Sequence, residues 1–255
     1  MYETLWLDAA AFVGLVHLAA PIALRNSFRF SANSTPRLVT EDRLSPEAAR
    51  CILAMKPQIQ SLGFELLGCY EFAELNAHTS RTVAYFCNRT QNDFAHLVIS
   101  SATNHADGYL EFSTSFSNGF TLETNNNSVP PLTPDNPQTR LFRFSEIRDP
   151  RELYSIHLEL IDKYAHGICS EAEPKGQELK RMVRVLENYG PRHEQMGYMR
   201  LASDGAYRLT WKGAALMAWR GLWPTSLIRQ ISYRQAMRNE LRSLEVRGVA
   251  ALQKA

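Results

Sequence analysis

The residues of this 255-residue chain best suited to catalysis or metal binding lie in its second half. They are three histidines and one cysteine, His157, His166, Cys169 and His193. Imidazole and thiolate groups bind zinc and form nucleophilic dyads, so their convergence would create a metal or thiol-catalytic site. However, their spacing matches no known ligand pattern, and His157 falls on an apolar helical stripe typical of a hydrogen-bonded core histidine. We therefore predict no metal site and no cofactor.

Sequence motifs of the common enzyme classes are missing. The chain has no Walker P-loop, no G-x-G-x-x-G after a strand, no H-E-x-x-H, no G-x-S-x-G and no EF-hand loop. A binding protein is therefore favoured over an enzyme. If the protein were an enzyme, its site would be expected at His157, His166 or Cys169.

A second group of residues, near the C-terminus, combines arginine with tryptophan. Residues 197–255 contain ten Arg/Lys and three Asp/Glu, whereas the whole chain has a net charge of only +2. Tryptophans beside a basic amphipathic helix are typical of contact with an anionic membrane surface. The alternative is a core helix with a solvated basic face. The residues expected to make the membrane contact are Trp211, Trp219, Trp223, Arg229, Arg234, Arg238 and Arg242.

A third group lies on a helix predicted from about 177 to 189 and could contact nucleic-acid phosphates. Its basic residues are Lys180, Arg181 and Arg184, and two glutamates on the same helix reduce its positive charge. The Gly-Pro pair at 190–191 is expected to end this helix before the next strand. These features make nucleic acid the less favoured partner.

The segment that follows, GYMRLASDGAYRLTWKGAALMA at residues 197–218, resembles the wing and following helix of winged-helix proteins. In those proteins a strand ending in a Leu-Thr-x-x-Gly-like step leads into the final helix, and Leu209, Thr210 and Gly213 carry the match. The resemblance implies a nucleic-acid-binding regulator, with a recognition helix just before the hairpin. The other interpretation is a hairpin followed by a helix capped by Thr210, which is common supersecondary structure.

The N-terminal segment is the most apolar part of the chain. Residues 4–24, TLWLDAAAFVGLVHLAAPIAL, are interrupted only by Asp8 and His17 and have the length of a membrane-spanning helix. Glu3 and Asp8 precede the uninterrupted apolar stretch and arginines follow it, which predicts an outside N-terminus and a cytoplasmic body at a bacterial inner membrane. The alternatives are a buried helix of the body and an export signal.

The pattern of the whole chain predicts an α+β fold in consecutive segments. These are a transmembrane anchor at 1–25, a juxtamembrane linker at 26–44, a helix with a five-stranded antiparallel meander at 45–125, a Pro/Asn-rich connection at 126–148, and a helical region at 149–255 with a hairpin at 198–209. The predicted strands of the meander are 64–72, 82–88, 94–101, 109–115 and 120–124.

Several local features can also be predicted. Ser45 should cap the first helix of the body, and Pro57 should kink or interrupt it. A turn centred on His78 would place Cys69 opposite Cys87 on neighbouring strands. Because the chain's four cysteines include no C-x-x-C pair, reduced thiols are expected in a cytoplasmic body.

Together these patterns favour a single-pass membrane-anchored protein. Its expected contacts are the membrane through residues 4–24, an anionic lipid surface through the C-terminal tryptophans and arginines, and a protein partner of unknown identity. The body would act in binding or scaffolding. A winged-helix-like nucleic-acid-binding regulator is the alternative, and an unrecognised enzyme is the third hypothesis.

Overall fold

A computed structural model describes residues 2–32, 36–72, 79–102, 105–134 and 136–252 of the chain. Contacts divide the chain into two compact units whose segments alternate along the sequence. Unit 1 comprises Met1–Ser34, Pro131–Pro134 and Met182–Ile231, and unit 2 comprises Thr35–Pro130, Asp135–Arg181 and Ser232–Ala255.

The predicted α+β class is confirmed. The α-helices in the described residues are α1 (Tyr2–Ser27), α2 (Pro46–Gln60), α3 (Pro150–Ala165), α4 (Glu178–Gln195), α5 (Trp211–Gly221) and α6 (Thr225–Leu252). The strands are β1 (Phe30–Ser31), β2 (Arg37–Val39), β3 (Glu65–Phe72), β4 (Thr79–Asn88), β5 (Asp93–Ala102), β6 (His105–Ser115), β7 (Thr121–Asn125), β8 (Thr139–Arg143), β9 (Met199–Leu201) and β10 (Ala206–Leu209).

Unit 2 is built on a seven-stranded sheet with the order β2-β3-β4-β5-β6-β7-β8. The predicted five-stranded meander is confirmed as β3 to β7, in which each strand pairs antiparallel with the next. The segments between these strands are at most six residues long, too short for a crossover connection, so the chain length between strands allows only antiparallel pairing.

Two further strands extend this sheet at its edges, and both come from segments predicted to be irregular. β2 lies in the predicted juxtamembrane linker and pairs antiparallel with β3. β8 lies in the predicted Pro/Asn-rich connection and pairs parallel with β7. Phe142 and Phe144 are buried in the core and hold the segment that contains β8 against the sheet. The amide of Phe144 also donates to the carbonyl of Asn125 at 2.8 Å.

The register of the β3–β4 hairpin differs from the predicted one. Cys69 lies opposite Ala84, and Cys87 lies opposite Glu65. The predicted turn residue, His78, lies outside the described residues. A register shift between Leu66 and Gly68 adds one residue to β3, a feature that alternation of side chains along the strand does not reveal. All four cysteines are free.

Helices α2 and α3 cover one face of the large sheet. The predicted cap is confirmed, since the Ser45 hydroxyl accepts a hydrogen bond from the amide of Ala48 at 3.2 Å. Pro57 does not interrupt α2, which continues to Gln60. Pro57 removes only one helical hydrogen bond near the end of the helix, and full burial of Ile59 holds the last turn against the core.

The apolar stripe predicted around His157 in α3 is buried at Leu153, Ile156 and Leu160 and half-buried at Tyr164, and one polar network crosses the core beside it. The hydroxyls of Thr114 and Tyr154 donate to the two carboxylate oxygens of Asp93 at 2.5 and 2.7 Å. Because the Thr114 proton is used in this way, the Thr114 oxygen accepts from Nε2 of His157 at 2.9 Å. Nδ1 of His157 then accepts from Thr124 at 3.0 Å, so the imidazole is neutral and satisfied on both sides.

This neutral histidine makes stability depend on pH. Burial lowers the pKa of His157 to about 3, well below about 6.5 in an unfolded chain. Between these values the unfolded chain binds the proton and the folded chain does not, so acidification favours unfolding. We expect His157 to remove up to about 1.4 kcal/mol of stability per pH unit as pH falls below 6.5. Urea unfolding at pH 7, 6 and 5 should show this slope, and His157→Gln should reduce it.

Unit 1 contains a smaller sheet with the order β1-β10-β9. The predicted hairpin is confirmed as β9 and β10. The predicted cap of α5 is also confirmed, because the Thr210 hydroxyl accepts from the amide of Gly213 at 3.1 Å. The core of this unit comprises Phe30, Met199, Tyr207, Leu209, Ala214 and Met217.

Helix α4 continues through the Gly-Pro pair to Gln195. The prediction that it would end at this pair is therefore wrong. Gly190 is buried against the ring of Tyr207, and a side-chain carbon at this position would lie 2.2 Å from that ring. The glycine therefore permits close packing of α4 on β10, and this tertiary contact offsets the poor helix propensity of the pair.

Helix α1 forms where the sequence predicts a transmembrane helix. Among the residues that the structure describes, none of the helices combines the length and the apolar character needed to cross a membrane. The prediction of a transmembrane anchor at 1–25 is therefore wrong. Asp8, His17 and Pro21 interrupt the apolar run, and α1 packs against α5 within unit 1.

Candidate functional site

Exposed large hydrophobic side chains are concentrated in unit 1. In unit 2, such side chains are scattered among Leu38, Leu53, Val129 and Leu158. In the described parts of unit 1 they are Phe12, Leu15, Leu18, Ile22, Val185, Leu201, Trp211, Trp219, Trp223, Leu227, Ile228 and Ile231. Single exposed hydrophobic residues are normal, but a concentration of this kind marks an interaction surface.

Helix α1 is apolar on both its inner and its outer side. The residues half-buried in unit 1 include Val13, Val16, Ala20 and Leu24. The outward face consists of Phe12, Leu15, Leu18 and Ile22, and we call it the α1 outer face. Residues 9–24 contain no Asp, Glu, Lys or Arg, and an ordinary surface helix would be polar on the side facing water.

The one ionisable group in this stretch of α1 does not make the helix amphipathic. The half-buried His17 uses Nδ1 in a hydrogen bond with the carbonyl of Val13 in the preceding turn, at 2.8 Å. This bond keeps the imidazole against its own helix. The α1 outer face is therefore uninterrupted by polar side chains from Ala11 to Ala23.

The tryptophans predicted to contact a membrane are exposed. Trp211 and Trp219 lie two turns apart on α5, and Trp223 follows that helix. At the start of α6, Leu227 and Ile231 are exposed one turn apart. The indole combines a large apolar ring with a polar N–H, which suits it to the boundary between hydrocarbon and water.

The arginines predicted to accompany these tryptophans are divided between the two units. Arg229 belongs to unit 1, is half-buried, and donates to the carbonyl of Pro131 at 3.3 Å. Arg234, Arg238 and Arg242 belong to unit 2 and are exposed. Arg238 also pairs with Glu146 at 2.7 Å. In unit 1, the exposed Trp211 contacts an arginine that was not among the predicted residues, Arg25.

Arg25 lies in the last turn of α1, and its guanidinium lies over the ring of Trp211, 4.5 Å from the ring centre. This contact joins the end of α1 to the exposed start of α5. By sequence, unit 1 contains nine Arg/Lys and five Asp/Glu, so the net charge of unit 1 is +4. Its apolar surfaces are therefore accompanied by positive charge.

The three residues predicted to contact phosphates do not belong to one compact unit. Lys180 and Arg181 belong to unit 2, and Arg184 belongs to unit 1. The guanidinium of Arg181 lies 4.4 Å from the ring centre of Phe94 and donates to the hydroxyl of Ser115 at 2.5 Å. Burial lowers the pKa of Arg181, as expected for a cation held inside the protein. Arg181 is therefore a structural residue of unit 2.

The histidines and the cysteine predicted to form a catalytic or metal site differ in their burial and in their contacts. His157 is fully buried in the core network, whereas His166 and Cys169 are exposed, and His166 contacts Asp162 at 3.0 Å. His193 lies in unit 1 and bonds to the carbonyl of Tyr189 at 2.8 Å. Within the described ranges, no group of three or more His, Cys, Asp or Glu side chains could hold a metal ion.

The structure reveals a polar row that the local sequence patterns do not predict. Tyr85, His96, Glu111 and Asn125 are register partners on four adjacent strands. The rings of Tyr85 and His96 stack with their centres 4.9 Å apart. Glu111 contacts Nδ1 of His96 at 3.3 Å and accepts from Asn125 at 2.8 Å, and these polar partners lower the pKa of Glu111 despite burial.

This row lies on the face of the sheet opposite to α2 and α3. Period-two alternation in β5 and β6 could have placed His96 and Glu111 on one side of each strand. Only the register between strands shows that they are directly opposite. The contacts given above place no nucleophile or further metal-binding group beside His96 and Glu111. This pair is therefore a weaker candidate for a functional site than the apolar surface of unit 1.

Comparisons with known proteins add no family to this description. Searches of protein-family models, curated proteins and solved structures found no match to the chain.

Proposed function

We propose that this protein binds anionic membrane surfaces through unit 1, with unit 2 as the binding or scaffolding body held at that surface. The α1 outer face carries this proposal, because a helix face that exposes only apolar side chains is typical of a surface that another molecule covers. The exposed tryptophans of α5 and the positive charge of unit 1 favour a lipid surface as the cover.

The energetics of such contact are adequate. Burying one large aliphatic or aromatic side chain contributes about 1.5–3 kcal/mol, so partial insertion of four side chains of α1 supports measurable affinity. Each arginine or lysine close to an anionic surface adds about 1 kcal/mol. The cytoplasmic leaflet supplies this charge, and four free thiols suit the same compartment.

Co-sedimentation of the full chain with vesicles tests the proposal. We expect binding to phosphatidylcholine vesicles that contain phosphatidylglycerol, and weaker binding to pure phosphatidylcholine. Added salt should reduce the difference between the two vesicles but leave part of the binding, because salt screens charge and not apolar burial. Absence of binding to both vesicles at low salt would refute the proposal. Self-association without lipid would indicate that a second copy covers this surface.

Nucleic-acid binding is the second candidate function. In its favour, α4 directly precedes the β9–β10 hairpin, which is where the winged-helix resemblance places a recognition helix. Against it, Arg181 is committed to unit 2, and the hairpin turn carries Asp204, which pairs with Arg29 and Arg208. A gel-shift experiment separates the two functions, since DNA binding that is lost when Lys180 and Arg184 are reversed in charge would favour this one.

A further inference from the structure

We infer that Arg25 and Trp211 form a binding site for the phosphate group of a membrane lipid, at the end of the α1 outer face. The inference rests on the proposed membrane function and adds a specific contact to it. In this site Arg25 recognises the phosphate of the lipid headgroup, and Trp211 holds the Arg25 side chain in position.

The contact between the two side chains leaves the hydrogen-bonding groups of Arg25 available. The guanidinium carbon lies over the Trp211 ring, 4.5 Å from the ring centre, and this cation–π contact uses none of the N–H donors in a hydrogen bond. The guanidinium group of an arginine has five N–H donors in one plane, and this arrangement fits phosphate oxygens. Arg25 makes no hydrogen bond or ion pair to any residue in the described ranges.

Four other arginines of unit 1 have protein partners. Arg29 and Arg208 both pair with Asp204, at 3.2 and 2.8 Å. Arg220 donates to the carbonyl of Thr133 at 2.7 Å, and Arg229 donates to the carbonyl of Pro131. These contacts use hydrogen-bond donors of all four guanidinium groups within the fold. The guanidinium of Arg25 is instead fixed by an aromatic ring that leaves its donors unused.

The position of the pair also suits a headgroup. Arg25 lies one turn after Ile22, the last residue of the α1 outer face, so it marks the polar end of that face. Trp211 is 55% exposed and begins α5, whose N-terminal end carries partial positive charge. An apolar face that ends in a cation–π pair of Arg and Trp matches the change from acyl chain to phosphate in a lipid. A free phosphate ion would use only the polar half of this arrangement.

Vesicle binding by single variants of the full chain tests the site. Arg25→Gln should weaken binding to phosphatidylglycerol-containing vesicles by more than about fivefold, because it removes both the cation, which alone accounts for about fivefold, and the planar N–H donors. Arg25→Lys should recover only part of this loss, because lysine restores the charge but not the planar donors. Trp211→Leu keeps an apolar side chain without the ring, and should weaken binding to these vesicles by a similar factor.

Two controls separate this site from general charge. Arg50→Gln removes one exposed arginine from unit 2 and should change binding less than twofold. Inorganic phosphate, added at constant ionic strength, should not displace the wild-type protein from vesicles. Displacement would show that the site takes the free ion and would overturn the assignment to a lipid.

The outcomes distinguish this inference from the proposed function. If Arg25→Gln or Arg25→Lys binds like the wild type, while substitutions in the α1 outer face abolish binding, the phosphate site is wrong and the membrane function stands. If the wild type binds neither vesicle, both are wrong.

Discussion

Replacing Leu15 and Leu18 with aspartate is expected to lower the affinity of the full chain for anionic vesicles by at least about 100-fold. Each leucine contributes about 1.5 kcal/mol when it is buried in a lipid surface, so two account for about 3 kcal/mol. The new carboxylates add repulsion from anionic lipids. Both leucines are exposed in the folded protein, so the fold should not change. Co-sedimentation measures the affinity, and circular dichroism checks the fold.

Leu53 provides a matched control for this experiment. It is 75% exposed on α2 in unit 2, and Leu18 is 74% exposed on α1 in unit 1. Leu53→Asp therefore introduces the same charge at an equally exposed leucine outside the proposed surface, and it should leave vesicle binding unchanged. If Leu53→Asp weakened binding as much as Leu18→Asp, binding would reflect general hydrophobicity and charge, and the α1 outer face would lose its special role.

Replacing His157 with alanine is expected to destabilise the protein by about 3 kcal/mol. The substitution leaves a cavity in the core and removes the partner of two buried threonine hydroxyls. The loss of Thr114's partner also weakens the arrangement around the buried Asp93 carboxyl, whose pKa is already raised by burial. Urea unfolding monitored by circular dichroism should show the loss as a lower midpoint.

His166 is the control for this substitution. It lies just after α3, the helix that carries His157, but its side chain is 83% exposed. His166→Ala should change the free energy of unfolding by no more than about 0.5 kcal/mol. Equal effects of the two substitutions would mean that the buried network does not support the core as described.

Local patterns predicted much of unit 2 and several features of unit 1. The five strands of the meander, the caps at Ser45 and Thr210 and the stripe of α3 each depend on neighbouring residues in the sequence. Alternation, capping and helical periodicity act over a few residues, so the chain carries these signals without knowledge of the fold.

Features set by distant contacts could not be predicted in the same way. The sequence of β8 is short and follows a proline-rich stretch, and its strand conformation depends on pairing with β7. The continuation of α4 past Gly190 depends on Tyr207, which lies in a different element. The opposition of His96 and Glu111 requires the register between β5 and β6. In each case the stabilising partner is remote in the sequence.

The sequence by itself determined that residues 9–24 are apolar on every side, that the C-terminal part is basic and rich in tryptophan, and that the fold is α+β. The tertiary structure decided how these features are used. It packs one side of α1 on α5, leaves the other side exposed, and divides the predicted arginines between two units. The physical reason is that hydrophobicity says how much a residue favours burial, whereas only packing decides which face is covered by the protein and which remains for a partner.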